Sequence, residues 1–597
     1  MTGPAIPGLT RHFVTLGNRQ VHYRRMGSGP ALLALHRLPR SSADLIPFMQ
    51  DVADRFTVIA PDFAGYGNSW QLAQTAYPEH GRNVEMVDYV DDIVAFLNEL
   101  GVKSCAVYGE HFGATAALQL IIRDPKRISA ATLNGLTVAL TEDERAAARD
   151  AHAPFVPSWD GSHLAWLWAW LREETRFHPW WVKNLAARLA DGMPTNDSLH
   201  RRAVQFLADG RGPPGPGGHP FSGTTGRQGR GYAAGLLAAL EFRPRAHLVN
   251  VAVPTLITGS PAFAAMLKDT NGAPKSGKVK VEKADSRAAA RDKAVAFLTE
   301  NIGRTPVPPP PQPPQPIKGV LWQSFVDIPG GQLHFQANDD LSTVPVLIQH
   351  DAASSVGTVE PITASLIGRR TVLAFDLPGS GESDNTLDTG NLDIDTLEVE
   401  AYAASIKAAL DALGLEQIDF YGMWGGGFVG LDLARMEKTP VRRLVMSNVF
   451  QHDGEEQKSF QANYTPLIEP AWHGGHLMQA WHEMRDQGLF YPWFDTSAAG
   501  VIKREPFIAT DMVHERVCSL LKAGNMYRAA YQAHFRYRTY EKLRGSPVPT
   551  LLATTKWDPN NPHTQAAAKA APNAQLRYLD DDFKKWGLSF LDFLEAP

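Results

Sequence analysis

The 597-residue chain repeats itself at a nearly constant interval, and this repetition constrains its fold more than any other feature. The segment RFTVIAPDFAGYGNS at 55–69 returns as RRTVLAFDLPGSGES at 369–383, a shift of 314 positions. The segment AVYGEHFGATAALQL at 106–120 returns as DFYGMWGGGFVGLDL at 419–433, a shift of 313. Matches that recur at one interval indicate a duplicated unit. The length independently predicts two domains of roughly 250 to 300 residues.

A proline-rich run, PVPPPPQPPQP, separates the two copies at 306–316. Proline lacks an amide hydrogen and fixes its own backbone, so such a run favours an extended polyproline II spacer over helix or sheet. We therefore predict a first domain at 1–305, a linker at 306–318 and a second domain at 319–597.

Within each half, short β-branched runs alternate with amphipathic helical patterns. FTVIAPD and CAVYG are typical of buried parallel strands, and VDDIVAFLNEL is typical of a helix with one apolar face. This order of strand, helix and strand predicts a doubly wound, mostly parallel α/β sheet. Helical, aromatic-rich stretches at about 136–245 and about 450–543 interrupt the alternation. Each predicts a helical cap over the ends of the strands.

Two strand-to-helix turns carry paired glycines, YGEHFGA at 108–114 and YGMWGGG at 421–427. Upstream of them lie the segments LLALHRLPRSS and VLIQHDAASSV. In these segments the chain resembles the α/β-hydrolase superfamily, most closely its capped epoxide-hydrolase and haloalkane-dehalogenase branch. The resemblance implies two tandem α/β-hydrolase-fold domains. It also implies that the turns are nucleophile elbows and that the upstream segments are oxyanion loops.

Both elbows lack the reactive residue that the resemblance leads us to expect. The family places a Ser, Asp or Cys at the apex of the elbow, an acid late in the sheet and a His after the last strand. Here the apexes are His111 and Trp424, and the late acid position holds Phe263 in the first half and Asp558 in the second. The loops predicted after the last strands contain no histidine. We therefore expect degenerate catalytic triads in both halves.

The first half retains groups that can support other chemistry. His111 lies at the predicted start of a helix, whose dipole favours a neutral imidazole that acts as a base or a donor, and Glu110 precedes it. His36 and Arg37 lie in the oxyanion loop, where an arginine can hold a carboxylate or an enolate. A solvated loop residue is the equal alternative for Arg37. His163, at the start of a predicted cap helix, is a catalytic candidate with a structural role as its alternative.

The second half has fewer such groups. Trp424 would fill the space that a nucleophile needs, and its indole offers no proton chemistry at neutral pH. His350 near the elbow, His476 at the position equivalent to His163, and Asp558 are its other candidates. The simplest interpretation is a degenerate copy that completes an intramolecular pseudo-dimer with the first half. The opposite assignment, with the second half active through Asp558 and His350, stays open.

Composition indicates a globular protein with a net charge of −5 and 44% hydrophobic residues. There is no basic stripe to indicate a nucleic-acid partner and no run of about 18 apolar residues to indicate a membrane span. The N-terminal MTGPAIPGLTRHF lacks a signal-peptide pattern, so a cytoplasmic protein is expected. HExxH, CxxC and clustered-carboxylate patterns are missing, so neither a metal nor another cofactor is expected.

These observations predict an enzyme that acts on a small, partly apolar molecule. The tryptophan-rich segment HLAWLWAWLREETRFHPWW at 163–181 predicts an apolar pocket lining for that substrate. Histidine-mediated acid–base chemistry in the first half fits a lyase, an isomerase, a cyclase or an atypical hydrolase, because the fold does not fix the reaction. The alternative is a non-catalytic pseudoenzyme that serves as a ligand-binding or scaffolding protein.

Overall fold

The structure is a computed structural model of the chain. The residues it describes are 4–72, 84–136, 141–152, 155–189, 192–209, 230–259, 277–311, 316–352, 354–387, 393, 395–571 and 574–596. Phe263, at the late acid position of the first half, lies outside the described residues, and so does part of the predicted linker, 312–315.

The first half is built on an eight-stranded sheet. Its strands are β1 (Leu9–Leu16), β2 (Arg19–Met26), β3 (Ala31–Leu35), β4 (Thr57–Pro61), β5 (Cys105–Glu110), β6 (Ile128–Asn134), β7 (Thr255–Gly259) and β8 (Val279–Lys283). Across the sheet they follow the order β1-β2-β4-β3-β5-β6-β7-β8, and only the pairs β1–β2 and β2–β4 are antiparallel. Strands β3, β4 and β5 are buried along their whole length, which explains their continuous apolar sequences.

The second half repeats this architecture strand by strand. Its strands are β9 (Trp322–Ile328), β10 (Gly331–Ala337), β11 (Val346–Gln349), β12 (Val372–Phe375), β13 (Ile418–Met423), β14 (Val441–Ser447), β15 (Thr550–Thr554) and β16 (Gln575–Tyr578). Their order, β9-β10-β12-β11-β13-β14-β15-β16, is that of the first sheet. The predicted fold class, with two mostly parallel sheets in tandem, is confirmed.

Helices flank the sheets and form the caps. Those of the first half are α1 (Ile46–Val52), α2 (Met86–Glu99), α3 (Phe112–Arg123), α4 (Glu142–Ala151), α5 (Ser162–Glu174), α6 (Asn196–Asp209), α7 (Arg230–Glu241), α8 (Pro244–Leu248) and α9 (Arg287–Asn301). Those of the second half are α10 (Val356–Leu366), α11 (Val399–Ala412), α12 (Gly425–Ala434), α13 (Gly454–Asn463), α14 (Gly475–Asp486), α15 (Thr510–Ala523), α16 (Asn525–Arg536), α17 (Thr539–Arg544), α18 (Asn561–Ala570), α19 (Trp586–Ser589) and α20 (Leu591–Glu595). No helix within the described parts of the chain is both long and apolar enough to traverse a bilayer.

The first sheet separates two apolar layers. One layer includes Phe96 of α2 and Ala117 of α3, and the other includes Phe48 of α1 and Leu298 of α9. Helices that cover both faces leave the central parallel strands without a solvent-facing side. This arrangement leaves the carboxyl ends of the strands, where the elbow emerges, as the place at which polar side chains can gather.

The two halves pack against each other through their caps. One continuous cluster of buried apolar side chains joins Leu167 and Trp168 of the first cap to Leu477 and Trp481 of the second. The indole Nε1 of Trp168 donates to the carbonyl of Trp472 at 2.9 Å. Trp168, one of the tryptophans predicted to line a pocket, therefore lies between the two caps.

The cap contacts are reciprocal. The ring of His163 packs edge-on against Trp481, with ring centroids 5.0 Å apart. At the equivalent positions the ring of His476 packs edge-on against Trp168 at 4.8 Å. Equivalent residues of the two halves therefore make equivalent ring contacts here.

Four cap histidines meet at the same interface in two pairs. His163 Nε2 lies 3.1 Å from His514 Nδ1, and the rings of His476 and His200 lie 5.1 Å apart. All four side chains are buried. The second pair is the equivalent of the first with the two halves exchanged.

The edges of the two sheets show the same reciprocity. The Gln20 side chain donates to the carbonyl of Gln323 at 2.9 Å and accepts from its amide at 2.7 Å. The Gln332 side chain likewise accepts from the amide of Arg11 at 2.7 Å and donates to its carbonyl at 3.3 Å. Each glutamine therefore completes the edge of the other half's first strand.

The first residues of the proline-rich run lie against the first half. Ala31 N–H donates to the carbonyl of Thr305 at 3.0 Å, and Val307 is buried. The Arg25 guanidinium donates to the carbonyl of Pro308. Satisfied backbone groups and a buried side chain hold this end of the run in place.

Candidate active site

The first elbow is a sharp turn between β5 and α3 with His111 at its apex. His111 has φ 51° and ψ −109°, a left-handed conformation that non-glycine residues rarely adopt and that costs on the order of 1 to 3 kcal/mol. The flanking glycines make the turn possible: a Cβ on Gly109 would lie 2.4 Å from the carbonyl oxygen of Gly113. A Cβ on Gly113 would lie 2.1 Å from that of Leu35.

The His111 imidazole lies in a recess that stays open to solvent. Gly135 leaves room for the ring, since a Cβ there would lie 3.0 Å from His111 Cε1. The side chain remains accessible, yet the surrounding protein and the positive charge of Arg37 lower the pKa of His111 to about 4. At neutral pH the imidazole is therefore uncharged and can accept a proton or donate a hydrogen bond.

Ion pairs surround this recess. Arg37 binds Asp44 with two nitrogens, at 2.9 and 3.4 Å. Arg287 binds Glu110 at 2.5 Å and lies 3.4 Å from Asp44. Burial opposes ionisation of Glu110, but Arg287 and the hydroxyl of Tyr108 outweigh it and lower the pKa of this carboxyl. Glu110 is thus an ionised, fully engaged group beside the elbow.

A further arginine joins the oxyanion loop to the cap. Arg40 is buried and donates to the carbonyl of Arg202 at 3.1 Å and to Oε1 of Gln205 at 3.3 Å. Burial and the nearby Arg37 lower the pKa of Arg40 to about 10, and the nearest carboxylate oxygen of Glu174 is 3.9 Å away. Arg37, Arg40 and Arg287 each have a carboxylate within 3.9 Å, and a guanidinium among them can also bind an anionic ligand.

His36 and His350 support the two oxyanion loops. His36 is buried, its Nε2 accepts from the amide of Phe63 at 3.0 Å, and its Nδ1 donates to the next carbonyl at 2.9 Å. His350 repeats both bonds, with the amide of Leu377 at 3.1 Å and the next carbonyl at 2.7 Å. Both nitrogens of each ring are engaged, so the structure places these two histidines in supporting positions behind the loops.

The second elbow has the same backbone and a filled site. Trp424 has φ 47° and ψ −125°, and its half-buried indole packs against the apolar layers around it. The amide of Gly425 donates to Oδ1 of Asp351 at 3.0 Å, and His534 Nδ1 lies 3.3 Å from the same oxygen. In this fold the amide after the apex is an oxyanion-hole donor. Here that amide is already hydrogen-bonded to the carboxylate of Asp351.

Asp558 follows β15 at the edge of the second site. It is buried and accepts from the amide of Asn560 at 2.8 Å. Burial raises the pKa of Asp558 to about 7, against the opposing effects of Asn560 and Arg504. The neighbouring Asn560 accepts in turn from the hydroxyl of Tyr491 at 2.7 Å.

The structure places His163 and His476 at the cap interface, away from the elbow groups described above. His163 Nδ1 accepts from the amide of Ser158 at 3.0 Å, and His476 Nδ1 accepts from the amide of Ala471 at 3.1 Å. Burial lowers the pKa of both histidines to about 4. Of the candidates in the first half, the structure brings His111, Glu110 and Arg37 together, with His36 behind them.

Two residues near the first elbow were missed by sequence reasoning. Arg287 is the first residue of α9, which follows β8, and it reaches Glu110. The resemblance implies a catalytic histidine in the segment after the last strand, and this position was the available signal for Arg287. Asp44 is held by Arg37 seven residues away, a contact that no local pattern encodes. In the second half His534 of the cap approaches Gly425.

Comparison with known proteins agrees with this architecture. The family described as alpha/beta hydrolase fold matches residues 30–189 and 345–471, one segment in each half. A 2-(acetamidomethylene)succinate hydrolase of Mesorhizobium japonicum is 32% identical over 118 residues, 19% of this chain and 40% of that protein. An epoxide hydrolase of Caballeronia sordidicola is 27% identical over 131 residues, 22% of this chain and 38% of that protein. The chain thus spans about two fifths of the length of these curated relatives.

Solved structures that match part of the chain include epoxide hydrolase A from Mycobacterium thermoresistibile. It is 16% identical, covers 46% of this chain and 99% of its own, and has a TM-score of 0.37. The enol-lactonase from Burkholderia xenovorans LB400 is 17% identical, covers 46% and 95%, and has a TM-score of 0.34. The family match in each half and the shared strand order of the two sheets show that both halves have the α/β-hydrolase fold, and the chain is similar to an epoxide hydrolase over 22% of its length.

Proposed function

We propose that the first half is an enzyme whose active site is the recess at the first elbow, and that its substrate is a small, partly apolar carboxylate. The observation that carries this proposal is the position of His111. It stands at the apex of a strained elbow, open to solvent and flanked by Arg37. A strained, accessible and titratable side chain is the kind of group on which active sites are built.

In the proposed mechanism His111 moves a proton. Its neutral imidazole accepts a proton from the substrate or from a water and returns it later in the cycle. Arg37 pairs with the substrate carboxylate or with an enolate that forms from it, and the amide of Phe112 at the start of α3 faces developing negative charge. Lyase, isomerase, cyclase and atypical hydrolase reactions all use this set of groups.

A relative supports the choice of a carboxylate substrate. The enzyme of Mesorhizobium japonicum is named for the hydrolysis of 2-(acetamidomethylene)succinate, a dicarboxylate. The arginines around His111 suit the same chemical class, because a guanidinium binds a carboxylate with two parallel hydrogen bonds. Arg37 now makes such a pair with Asp44, which a substrate carboxylate would have to share or displace.

The second half is proposed to be a degenerate copy with a structural task. Residues 1–305 and 319–597 would be two domains joined by the linker 306–318, held as an intramolecular pseudo-dimer in the cytoplasm and without a nucleic-acid partner. The reciprocal contacts of the caps and of the sheet edges support this arrangement. The occupied oxyanion-hole amide of Gly425 supports an inactive second elbow.

A ligand-binding protein without turnover is the second candidate. It is favoured by the ion pairs of Arg37 with Asp44 and of Arg287 with Glu110, which satisfy these groups in the absence of substrate. Such a protein would bind an anion in the same recess but would not transfer a proton.

The two candidates are separated by assays on the purified full-length chain. We expect turnover of 2-(acetamidomethylene)succinate or of a related small carboxylate, and no labelling of either elbow by a fluorophosphonate probe, because neither apex is a serine. Calorimetric binding of succinate without turnover of 2-(acetamidomethylene)succinate, styrene oxide or p-nitrophenyl acetate would favour the second candidate. Stoichiometric fluorophosphonate labelling at an elbow would contradict the proposed mechanism.

A further inference from the structure

A cluster of possible metal ligands lies in the second half. Among the described residues, one group of at least three His, Cys, Asp or Glu side chains brings its ligand atoms within 4.8 Å of one another. The group consists of His452, Glu456 and His563. The spacing of these residues matches no local metal-binding motif, so the sequence alone did not indicate them.

The fold delivers the three side chains from two neighbouring strands. His452 lies in the loop after β14, and Glu456 follows it by one helical turn in the first turn of α13. His563 lies in the first turn of α18, after β15. Strands β14 and β15 are parallel neighbours, so their carboxyl ends meet at one edge of the sheet. This is the edge at which α/β folds build their ligand sites.

His452 is a buried group with one incompletely paired ring. Its side chain is 1% exposed, its Nδ1 lies near the Glu456 carboxylate, and its Nε2 has no hydrogen-bond partner. A buried polar atom left unpaired costs about 1 to 3 kcal/mol, so such a group calls for a ligand.

The distances suit a small cation. His452 Nδ1 lies 3.3 Å from Oε1 of Glu456. Two ligand atoms of a tetrahedral site, each about 2.0 to 2.1 Å from Zn²⁺, lie roughly 3.3 to 3.4 Å apart. The Glu456 side chain is 47% exposed and free to rotate, so it can adjust to draw the set together.

We propose that His452, Glu456 and His563 bind one divalent transition-metal ion of the Zn²⁺ class. Two imidazoles and one carboxylate favour Zn²⁺, Co²⁺ or Ni²⁺ over Mg²⁺ and Ca²⁺, which prefer oxygen ligands throughout. Three protein ligands leave one position for water, and the exposed Glu456 leaves that position open to solvent.

Tyr540 is placed to orient one of the ligands. Its hydroxyl lies 3.3 Å from Nδ1 of His563, which leaves Nε2 of that ring for the ion. A partner on the second ring nitrogen fixes the orientation of a ligating histidine. The loss of such a partner typically weakens metal affinity about 10- to 100-fold.

The site is a property of the second half. Residues 136–151, which follow the equivalent strand of the first half, contain no histidine. In this region VPTLITG at 253–259 matches VPTLLAT at 548–554 with a shift of 295, so the position equivalent to His563 is Lys268. The proposal therefore does not depend on the role of His111, and either can fail without the other.

The test is a metal titration of the purified full-length chain after dialysis against a chelator. We expect one equivalent of Zn²⁺ by calorimetry, and Co²⁺ should give the visible absorption of a tetrahedral site. The variants Glu456→Gln and His563→Gln should each weaken Zn²⁺ binding at least tenfold. Glu456 is exposed, so its substitution leaves the fold intact.

Two matched controls decide whether the effect is specific. Glu455→Gln removes the same charge from the neighbouring, exposed position, and His482→Gln removes an exposed histidine from the same half. Both should bind Zn²⁺ as the wild type does. The proposal is overturned if the wild type binds none of Zn²⁺, Co²⁺ and Ni²⁺ stoichiometrically, if it prefers Mg²⁺, or if the controls lose as much affinity as the ligand variants.

Discussion

The two elbows share one backbone conformation but differ in the side chains at and around the apex. His111 and Trp424 have φ values of 51° and 47°, and their amides donate to Asn134 and Ser447 at 2.8 and 2.9 Å. Around His111 the recess is accessible and lined by Arg37, whereas the equivalent of that arginine in the second half is an aspartate bound to the oxyanion-hole amide. The same turn is open in one copy and filled in the other.

The difference shows which parts of the structure specify the fold and which specify chemistry. Glycines that permit close backbone approach make both turns, and Gly109 and Gly422 would each place a Cβ within 2.5 Å of the helix that follows. The side chains at and beside the apex are independent of that requirement. A duplicated domain can therefore keep its architecture and lose its site.

The largest expected effect tests whether the open elbow is the active one. His111→Gln should reduce turnover of an identified substrate about 10²- to 10⁴-fold, because glutamine keeps a hydrogen bond but cannot shuttle a proton. Steady-state kinetics measure the loss, and circular dichroism should be unchanged. Trp424→Phe is the matched control at the other apex and should leave turnover within about twofold. If the two variants exchange these results, the second half is the active one.

The next effect concerns the charges that differ between the oxyanion loops. Arg37→Gln should weaken calorimetric binding of succinate about 10- to 100-fold, since a hydrogen bond to a charged group contributes about 1.5 to 3 kcal/mol. Arg37→Lys keeps the charge and should recover part of the affinity. Asp351→Asn, at the equivalent position, should leave succinate binding unchanged. Equal losses in Arg37→Gln and Asp351→Asn would remove the distinction between the two loops.

A smaller effect tests whether the second elbow is sterically filled. A Cβ on Gly425 would lie 2.0 Å from His534 Nδ1, so Gly425→Ala should destabilise the protein by about 1 to 3 kcal/mol. His534→Ala removes the clashing ring, and the double variant should recover most of that loss relative to His534→Ala alone. Thermal unfolding midpoints of the wild type, the two single variants and the double variant give the coupling between Gly425 and His534. An additive double variant would mean that His534 does not fill this site.

Sequence was sufficient for the repeated part of the molecule. The constant shift and the paired glycines predicted two sheets of one topology and the position of His111 on an elbow, because these depend on local backbone requirements. Sequence was insufficient where distant segments meet. Arg287 reaches Glu110 across 177 positions, and Trp168 packs on the other half at Trp472 instead of lining the predicted pocket. Such contacts depend on the way the halves dock, and no local pattern records it.

The last prediction concerns the cap interface, where the two halves make equivalent contacts, and it uses the pH dependence of stability as its test. Burial lowers the pKa of His163 and His476 to about 4, below the value of about 6.5 expected in the unfolded chain. Between these values the unfolded state binds more protons than the folded state. Stability is therefore fully present above pH 6.5 and is lost as the pH falls towards 4.

For each of these two histidines, the free energy of unfolding should fall by roughly 1 to 2 kcal/mol as the pH decreases from 7 to 5. The thermal unfolding midpoint should change less with pH across this range in His163→Gln and in His476→Gln than in the wild type, because glutamine does not titrate there. Since the contacts are reciprocal, the two variants should flatten the profile by the same amount. The partners are not identical, because His514 also lies 3.5 Å from the sulfur of Cys518, and the first half has Val204 at that position. Unequal flattening would show that this one substitution has broken the symmetry of the interface, as Trp424 and Asp351 have broken that of the elbows.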